Sequence, residues 1–147
     1  MDHISVLLVE DNPADIQLIK EYLGEERKYH FDCHEVQSLK AAFDLLPHYD
    51  FDAVLLDLNL PDSAGIDTVR RVINQVPDTA VIVLTGLEDD ELALQAVRYG
   101  AQDFIEKSQL ATSTLSKSIR YAIERKKAHL EKEDLLADLN QALQQIE

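Results

Sequence analysis

Cysteine appears once in this chain of 147 residues, as Cys33. One thiol builds neither an internal disulfide framework nor a zinc spacing, and its expected place is packing within a strand. Basic residues are also short: 14 Lys and Arg stand against 28 Asp and Glu, a formal charge of −14 with a pI near 4.6. Such a chain lacks the basic footprint of direct nucleic-acid binding, and its acid excess disfavours an anionic membrane surface. No apolar run approaches the roughly 18 residues of a membrane span. The N-terminal Met-Asp-His-Ile-Ser carries no basic region and leads into a short apolar run, which reads as a strand rather than a signal peptide, so the expected location is cytoplasmic. There is no GxxxxGK[ST] loop to cradle a nucleotide phosphate. His3, His30, His34, His48 and His129 share no metal or triad spacing and read as surface or edge residues. Internal repeats and low-complexity linkers are missing too, which leaves one domain with a real core.

What the chain does have is a set of short apolar strands that each end on a reactive polar residue. Ser5–Val9 runs into Glu10 and Asp11, Ala53–Leu56 into Asp57, Val81–Leu84 into Thr85, and Phe104–Glu106 into Lys107. A further strand, less apolar and nearer an edge, is expected over Phe31–Val36. Helix-period segments separate them. The first is capped by Asn12-Pro13 and expected to stop at Gly24; the second is capped by Ser38 and ended by Pro47. The third follows Gly65 and closes at Pro77, the fourth opens on Glu88-Asp89-Asp90 and stops at Gly100, and the last begins near Thr112 or Ser113. Alternating strands and helices predict an α/β fold, a doubly wound sheet of five parallel strands, with an overlong final helix. In such a sheet ligands bind beyond the carboxyl ends of the strands, so three acids, a hydroxyl and an ammonium meet at one pocket.

Oxygen donors without nitrogen or sulfur suit Mg²⁺, with Asp11 and Asp57 as direct ligands, Glu10 nearby or through water, and a backbone carbonyl from the loop after Asp57. Crowded acids repel, and Mg²⁺ together with Lys107 supplies the positive charge they need. A carboxylate there can act as a nucleophile and form an aspartyl phosphate. Phosphoryl transfer asks mainly for positioning and charge neutralisation, which Asp57, Lys107 and the Thr85 hydroxyl offer.

Val-Glu-Asp-Asn (9–12), Leu-Leu-Asp-Leu-Asn-Leu-Pro-Asp (55–62), Leu-Thr-Gly (84–86) and Asp-Phe-Ile-Glu-Lys (103–107) together resemble the receiver domain of two-component response regulators, over roughly Ile4 to Ile123. The resemblance implies a flavodoxin-like strand order 2-1-3-4-5 and a Mg²⁺-dependent phosphoacceptor at Asp57, fed by a partner histidine kinase or phosphotransfer protein. It implies an acidic metal pocket of Glu10 and Asp11, an Asn59 backbone carbonyl on Mg²⁺, and Thr85 and Lys107 on the phosphoryl group. Phe104 matches the aromatic switch position, whose ring turns inward as the Thr85 hydroxyl moves to the phosphate. That movement alters the face formed by the fourth helix, fifth strand and fifth helix. Such a domain signals and is not an enzyme beyond its own phosphorylation and dephosphorylation. Where the family carries proline, often after a cis peptide, Ser108 follows Lys107; a cis bond there would cost ~3 kcal/mol.

Two other classes compete. A haloacid-dehalogenase-type phosphatase also uses an aspartyl phosphate, but it carries Asp-x-Asp, whereas Asp57-Leu58-Asn59 ends in an amide that cannot donate the proton. A receiver-like dimerisation scaffold has no need of the intact acids, Thr85 and Lys107. The expected division is a receiver over residues 1–124 and a helical extension over 125–147. In that extension a charged stretch from Glu124 to Asp134 precedes Leu136, Leu139, Leu143 and Ile146, at the three-four-three spacing of a coiled coil. The extension is therefore expected to join two copies as a parallel homodimer and to pass the receiver's state to a downstream output domain or protein. Nothing after it is long enough to bind DNA or do chemistry, so the chain is either a stand-alone regulator or a fragment of a longer protein.

Overall fold

Periodicities of two and 3.6 residues alternate along the chain, and the computed structural model, which describes residues 2–146, turns them into five strands and five helices. In order these are β1 (Asp2–Val9), α1 (Pro13–Glu25), β2 (Tyr29–Val36), α2 (Leu39–Leu45), β3 (Ala53–Asp57), α3 (Ile66–Gln75), β4 (Ala80–Thr85), α4 (Asp90–Tyr99), β5 (Asp103–Glu106) and α5 (Thr112–Gln144). All strand pairs are parallel, and the order across the sheet is β2-β1-β3-β4-β5. This is the expected doubly wound arrangement, with β2 at one edge.

The sheet is covered on both faces, which is why β3 and β4 are buried at every position and read as unbroken apolar runs. Side chains alternate between the faces. Val6, Leu8, Leu55, Ile82 and Leu84 point toward α1 and α5, where they meet Ile16, Ile19, Leu115 and Ile119. Leu7, Val9, Leu56 and Val83 point the other way, into a second cluster with Leu39, Val69, Val72 and Ala96. The two half-cores clamp the strands, and the carboxyl ends of β1, β3, β4 and β5 are thereby held side by side.

Local capping matches the sequence signals. The Asn12 side chain accepts from the Ala14 and Asp15 amides, Pro13 opens α1, and the Ser38 hydroxyl accepts from the Ala41 amide. Gly100 ends α4 at φ 122°, a conformation that an L side chain rarely adopts. Several boundaries differ from expectation. Helix α1 runs past Gly24 to Glu25 and ends at Glu26, which leaves the helix in extended backbone while its carboxylate accepts from the Lys28 amide. Strand β2 starts at Tyr29, two residues early, because β1 also reaches back to Asp2 and the two strands pair over eight positions. No peptide bond among the described residues is cis, and Lys107–Ser108 opens a short 3-10 turn over Lys107–Gln109.

Helix α5 changes character along its length. Leu115, Ile119 and Ala122 are fully buried against the sheet, whereas residues 131–146 are exposed throughout. Its middle carries an ion pair of Lys127 with Glu124 at 3.7 Å and a contact of His129 Nε2 with Glu133 Oε1 at 3.0 Å. Leu136, Leu139, Leu143 and Ile146 project into solvent. Met1 and Glu147, the ends of the two expected segments, lie outside the described residues. Among the described residues no helix is long and apolar enough to cross a membrane.

Candidate functional site

The turn that carries the chain from β1 into α1 places Glu10 and Asp11 at the sheet edge. The Glu10 amide donates to the Val36 carbonyl at 3.0 Å, which anchors the turn to β2, and its side chain is fully buried. Asp57 is the last residue of β3 and is 6% exposed. Lys107 follows β5 and reaches back across the edge. Its Nζ donates to Glu10 Oε1 at 2.8 Å and to Asp15 Oδ2 at 2.9 Å, and lies 3.3 Å from Asp57 Oδ1. Glu10, Asp57 and Lys107 line an open cavity of about 500 Å³, together with Asp11, Asn12, Pro13, Asn59, Gly86 and Asp89.

The electrostatics of the cluster follow from one cation facing three acids. Burial, reinforced by Asp57 alongside, pushes the Glu10 carboxyl up to about 8 despite the opposing pull of Lys107. Burial works against the Lys107 charge, but the hydrogen bonds from Glu10 and Asp15 and the charge of Asp57 outweigh it, and its pKa stands above the ordinary lysine range. Burial likewise opposes ionisation of Asp15, yet its hydrogen bond with Lys107 prevails and lowers its pKa.

Two observations bear on a cation. One carboxylate oxygen from each of Glu10, Asp11 and Asp57 lies within 4.8 Å of the others. Glu10 Oε2 is buried and has no hydrogen-bond partner among the described residues, an expensive condition for a carboxylate oxygen unless a positive group meets it. An all-oxygen donor set with an unpaired buried acceptor fits a hard divalent ion such as Mg²⁺.

Of the residues expected here, Glu10, Asp11, Asp57, Asn59 and Lys107 share the cavity. Asn59 is exposed and bridges to Ala64, and the loop beyond it is tied by Leu60 N–H to the Ser63 carbonyl and Gly65 N–H to the Leu58 carbonyl. Thr85 ends β4 and is 4% exposed; it lies behind the cavity, whose wall at this point is its neighbour Gly86. Phe104 stands opposite Val83 on β5, and strand alternation puts the Val83, Thr85 and Phe104 side chains on one face of the sheet. Phe104 is 39% exposed on this edge strand. Sequence reasoning missed Asp15 and Asp89. Asp15 had a signal: it lies in the first turn of the helix that leaves the acid pair, so it remains beside that edge. Asp89 Oδ2 accepts from the Gly86 amide at 3.0 Å and shapes the loop after Thr85.

Cys33 is half-buried within β2 and packs against the core, and burial pushes its thiol up to about 11, which suits packing rather than reactivity. The five histidines are exposed, as expected. His3 and His30 meet at the far end of β1 and β2, next to Asp32.

Residues 6–120 match the family described as response regulator receiver domain. The chain is 33% identical over 107 residues to the response regulator protein PilR of Pseudomonas aeruginosa, covering 73% of this chain and 23% of PilR. It is 32% identical over 124 residues to the cell cycle transcriptional regulator CtrA of Caulobacter vibrioides, covering 84% of this chain and 52% of CtrA. The chain thus spans between 23% and 56% of the length of these curated relatives and their counterparts. Among solved structures, a response regulator receiver domain protein from Clostridium thermocellum aligns with a TM-score of 0.73 at 28% identity, covering 85% of this chain and 98% of that one. NtrX from Brucella abortus aligns with a TM-score of 0.77 at 26% identity, covering 92% of this chain and 30% of that one.

Proposed function

Because this chain belongs to the response regulator receiver domain family of two-component systems, we propose that Asp57 accepts a phosphoryl group from the phosphohistidine of a partner histidine kinase or phosphotransfer protein. The observation that carries this reading is the Lys107 ammonium, suspended between Glu10, Asp15 and Asp57 at the mouth of an acid-lined cavity. A carboxylate oxygen of Asp57 attacks phosphorus, the N–P bond to the donor imidazole breaks, and its electron pair returns to the ring nitrogen. Lys107 shifts from its carboxylate partners toward a phosphoryl oxygen and neutralises it. The Thr85 hydroxyl donates to another oxygen. Asp11 and Asp57, the Asn59 backbone carbonyl and, directly or through water, Glu10 would hold Mg²⁺, which supplies charge to offset the phosphoryl oxygens. The partnerless Glu10 oxygen supports that assignment.

The signal then leaves the pocket by two routes. Movement of the Thr85 hydroxyl opens room on the face it shares with Phe104, whose ring turns inward and changes the surface of α4, β5 and α5. Helix α5 carries that change beyond the receiver, proposed to occupy residues 1–124, into an extension over 125–147. Exposed Leu136, Leu139, Leu143 and Ile146 favour pairing with a second copy as a parallel coiled coil. The paired helices act in the cytoplasm on a downstream output domain or protein. On this reading the chain is a signalling module whose chemistry is confined to its own phosphorylation and dephosphorylation.

The test is labelling by a small phosphodonor. Incorporation is expected only with Mg²⁺, is lost on chelation, and is abolished by Asp57→Asn; undiminished acid-labile labelling of that variant overturns the assignment. A titration with beryllofluoride and Mg²⁺ separates the alternatives. A receiver responds with amide shifts in β5 as well as the pocket, a haloacid-dehalogenase-type phosphatase turns over free phosphomonoesters, and a scaffold does not respond.

A further inference from the structure

His3 and His30 lie 27 positions apart in the chain yet face each other directly in the β1–β2 ladder. Their rings meet edge to face with centroids 4.8 Å apart. Asp32, two residues beyond His30 in β2, falls on the same face of the sheet. Its carboxylate joins both rings: Oδ1 is 3.0 Å from His30 Nε2, and Oδ2 is 4.0 Å from His3 Nδ1. One donor atom from each of the three lies within 4.8 Å of the others.

We propose that His3, His30 and Asp32 form a second metal site, chemically distinct from the acid pocket, for a borderline transition ion of the Zn²⁺ type. The donor set decides the ion: two imidazoles and one carboxylate suit Zn²⁺, whereas Mg²⁺ prefers all-oxygen ligands. Bonds of about 2.0–2.1 Å in a tetrahedral site put ligand atoms roughly 3.4 Å apart. The observed separations of 3.0 and 4.0 Å lie on either side of that figure, so these donors adjust by roughly 0.5 Å, a movement that side-chain rotation supplies while eight ladder pairs hold the backbone. The hydrogen bond between His30 Nε2 and Asp32 Oδ1 holds the two donors side by side in the free protein, and the ion replaces the shared proton on binding. Three protein donors leave a fourth position open to water or to an outside ligand, and all three residues are exposed, so an ion reaches them without unfolding. The site sits at the amino ends of the strands, seven residues before Glu10 along β1, roughly 20 Å from the acid pocket. A bound ion would pin edge strand β2 to β1.

The alternative is a simple surface pair between histidine and aspartate, worth little and indifferent to metal. Calorimetric titration of Zn²⁺ into the full chain, in millimolar Mg²⁺ to occupy the acid pocket, separates the two. One equivalent of Zn²⁺ is expected to bind despite Mg²⁺ and to remain in Asp57→Asn. His30→Gln and His3→Gln, both at exposed positions, are each expected to weaken it at least tenfold, and the parent's His3 and His30 ring resonances should move together on addition of Zn²⁺. Binding that Mg²⁺ competes away, that disappears in Asp57→Asn, or that keeps its affinity in both histidine variants overturns the proposal. None of these outcomes bears on phosphorylation of Asp57.

Discussion

Replacing Glu10 with glutamine should make the metal-free protein more stable at alkaline pH, although it removes a hydrogen-bonded charge. An ordinary glutamate titrates at 4.5, and burial beside Asp57 pushes Glu10 to about 8. The folded state therefore holds this proton more tightly than the unfolded chain does. Stability from this group is fully present below about pH 4.5 and is lost as pH rises toward about 8. At about 1.4 kcal/mol per pH unit, complete ionisation costs on the order of 5 kcal/mol, and roughly 3 kcal/mol of that is already lost near pH 7. Asp15, whose pKa is lowered, and Lys107, whose pKa is raised, vary outside this window: the first loses its stabilising effect in acid, the second in strong alkali. Glu10→Gln keeps the shape and removes the titration, while Lys107 retains Asp15 and Asp57. Urea unfolding in a chelator from about pH 5 to 9 should show the parent declining and the variant nearly flat, the curves separating by about 2–4 kcal/mol at the alkaline end. Added Mg²⁺ should restore the parent more than the variant. Parallel curves for the two proteins would refute the reasoning.

Asp15→Asn removes one of the three carboxylates around Lys107 and should cost about 1 kcal/mol; the Lys107 ammonium, followed by NMR titration, should move back toward ordinary lysine behaviour, and an unmoved titration would deny Asp15 its role. Gly100→Ala should destabilise by about 1 kcal/mol or more although the nearest atom, Ile73 Cδ1, leaves space at 3.5 Å, because the cost lies in φ 122°. Gly24→Ala, inside α1 with nothing within 4 Å, should instead stabilise by roughly 0.5–1 kcal/mol, and thermal melts that rank the two alike would contradict the backbone argument. Truncation after Arg125 keeps the contact of its guanidinium with the Gln102 carbonyl and removes the charged end of α5, in which Lys126 and Leu130 are half-buried and the rest is exposed. It should leave unfolding stability within about 1 kcal/mol while converting a dimer to a monomer in sedimentation; equal association of both chains would exclude the tail as the dimerising element.

Much of this molecule is local information. The apolar runs of β3 and β4, the Asn12 and Ser38 caps and the stop at Gly100 each depend on a few neighbouring residues. Alternation of strands with helices, and a shared edge for Glu10, Asp11, Asp57, Thr85 and Lys107, are therefore legible in the amino-acid sequence alone. The same locality explains the error at Gly24: helix termination depends on how the chain must leave toward β2, not on the most permissive residue alone. Tertiary structure decided whatever depends on register and reach. Lys107 finds Asp15 only because β5 and α1 are positioned by the half-core they share, and Glu10 titrates abnormally only because the folded chain removes it from water. His3, His30 and Asp32 converge through one particular alignment of β1 against β2, and a register slip of one residue would send them to different faces. Spacing along a chain records which residues share a helix turn or a strand face; distances between strands belong to the fold, because pairing is set by the burial of all the side chains together.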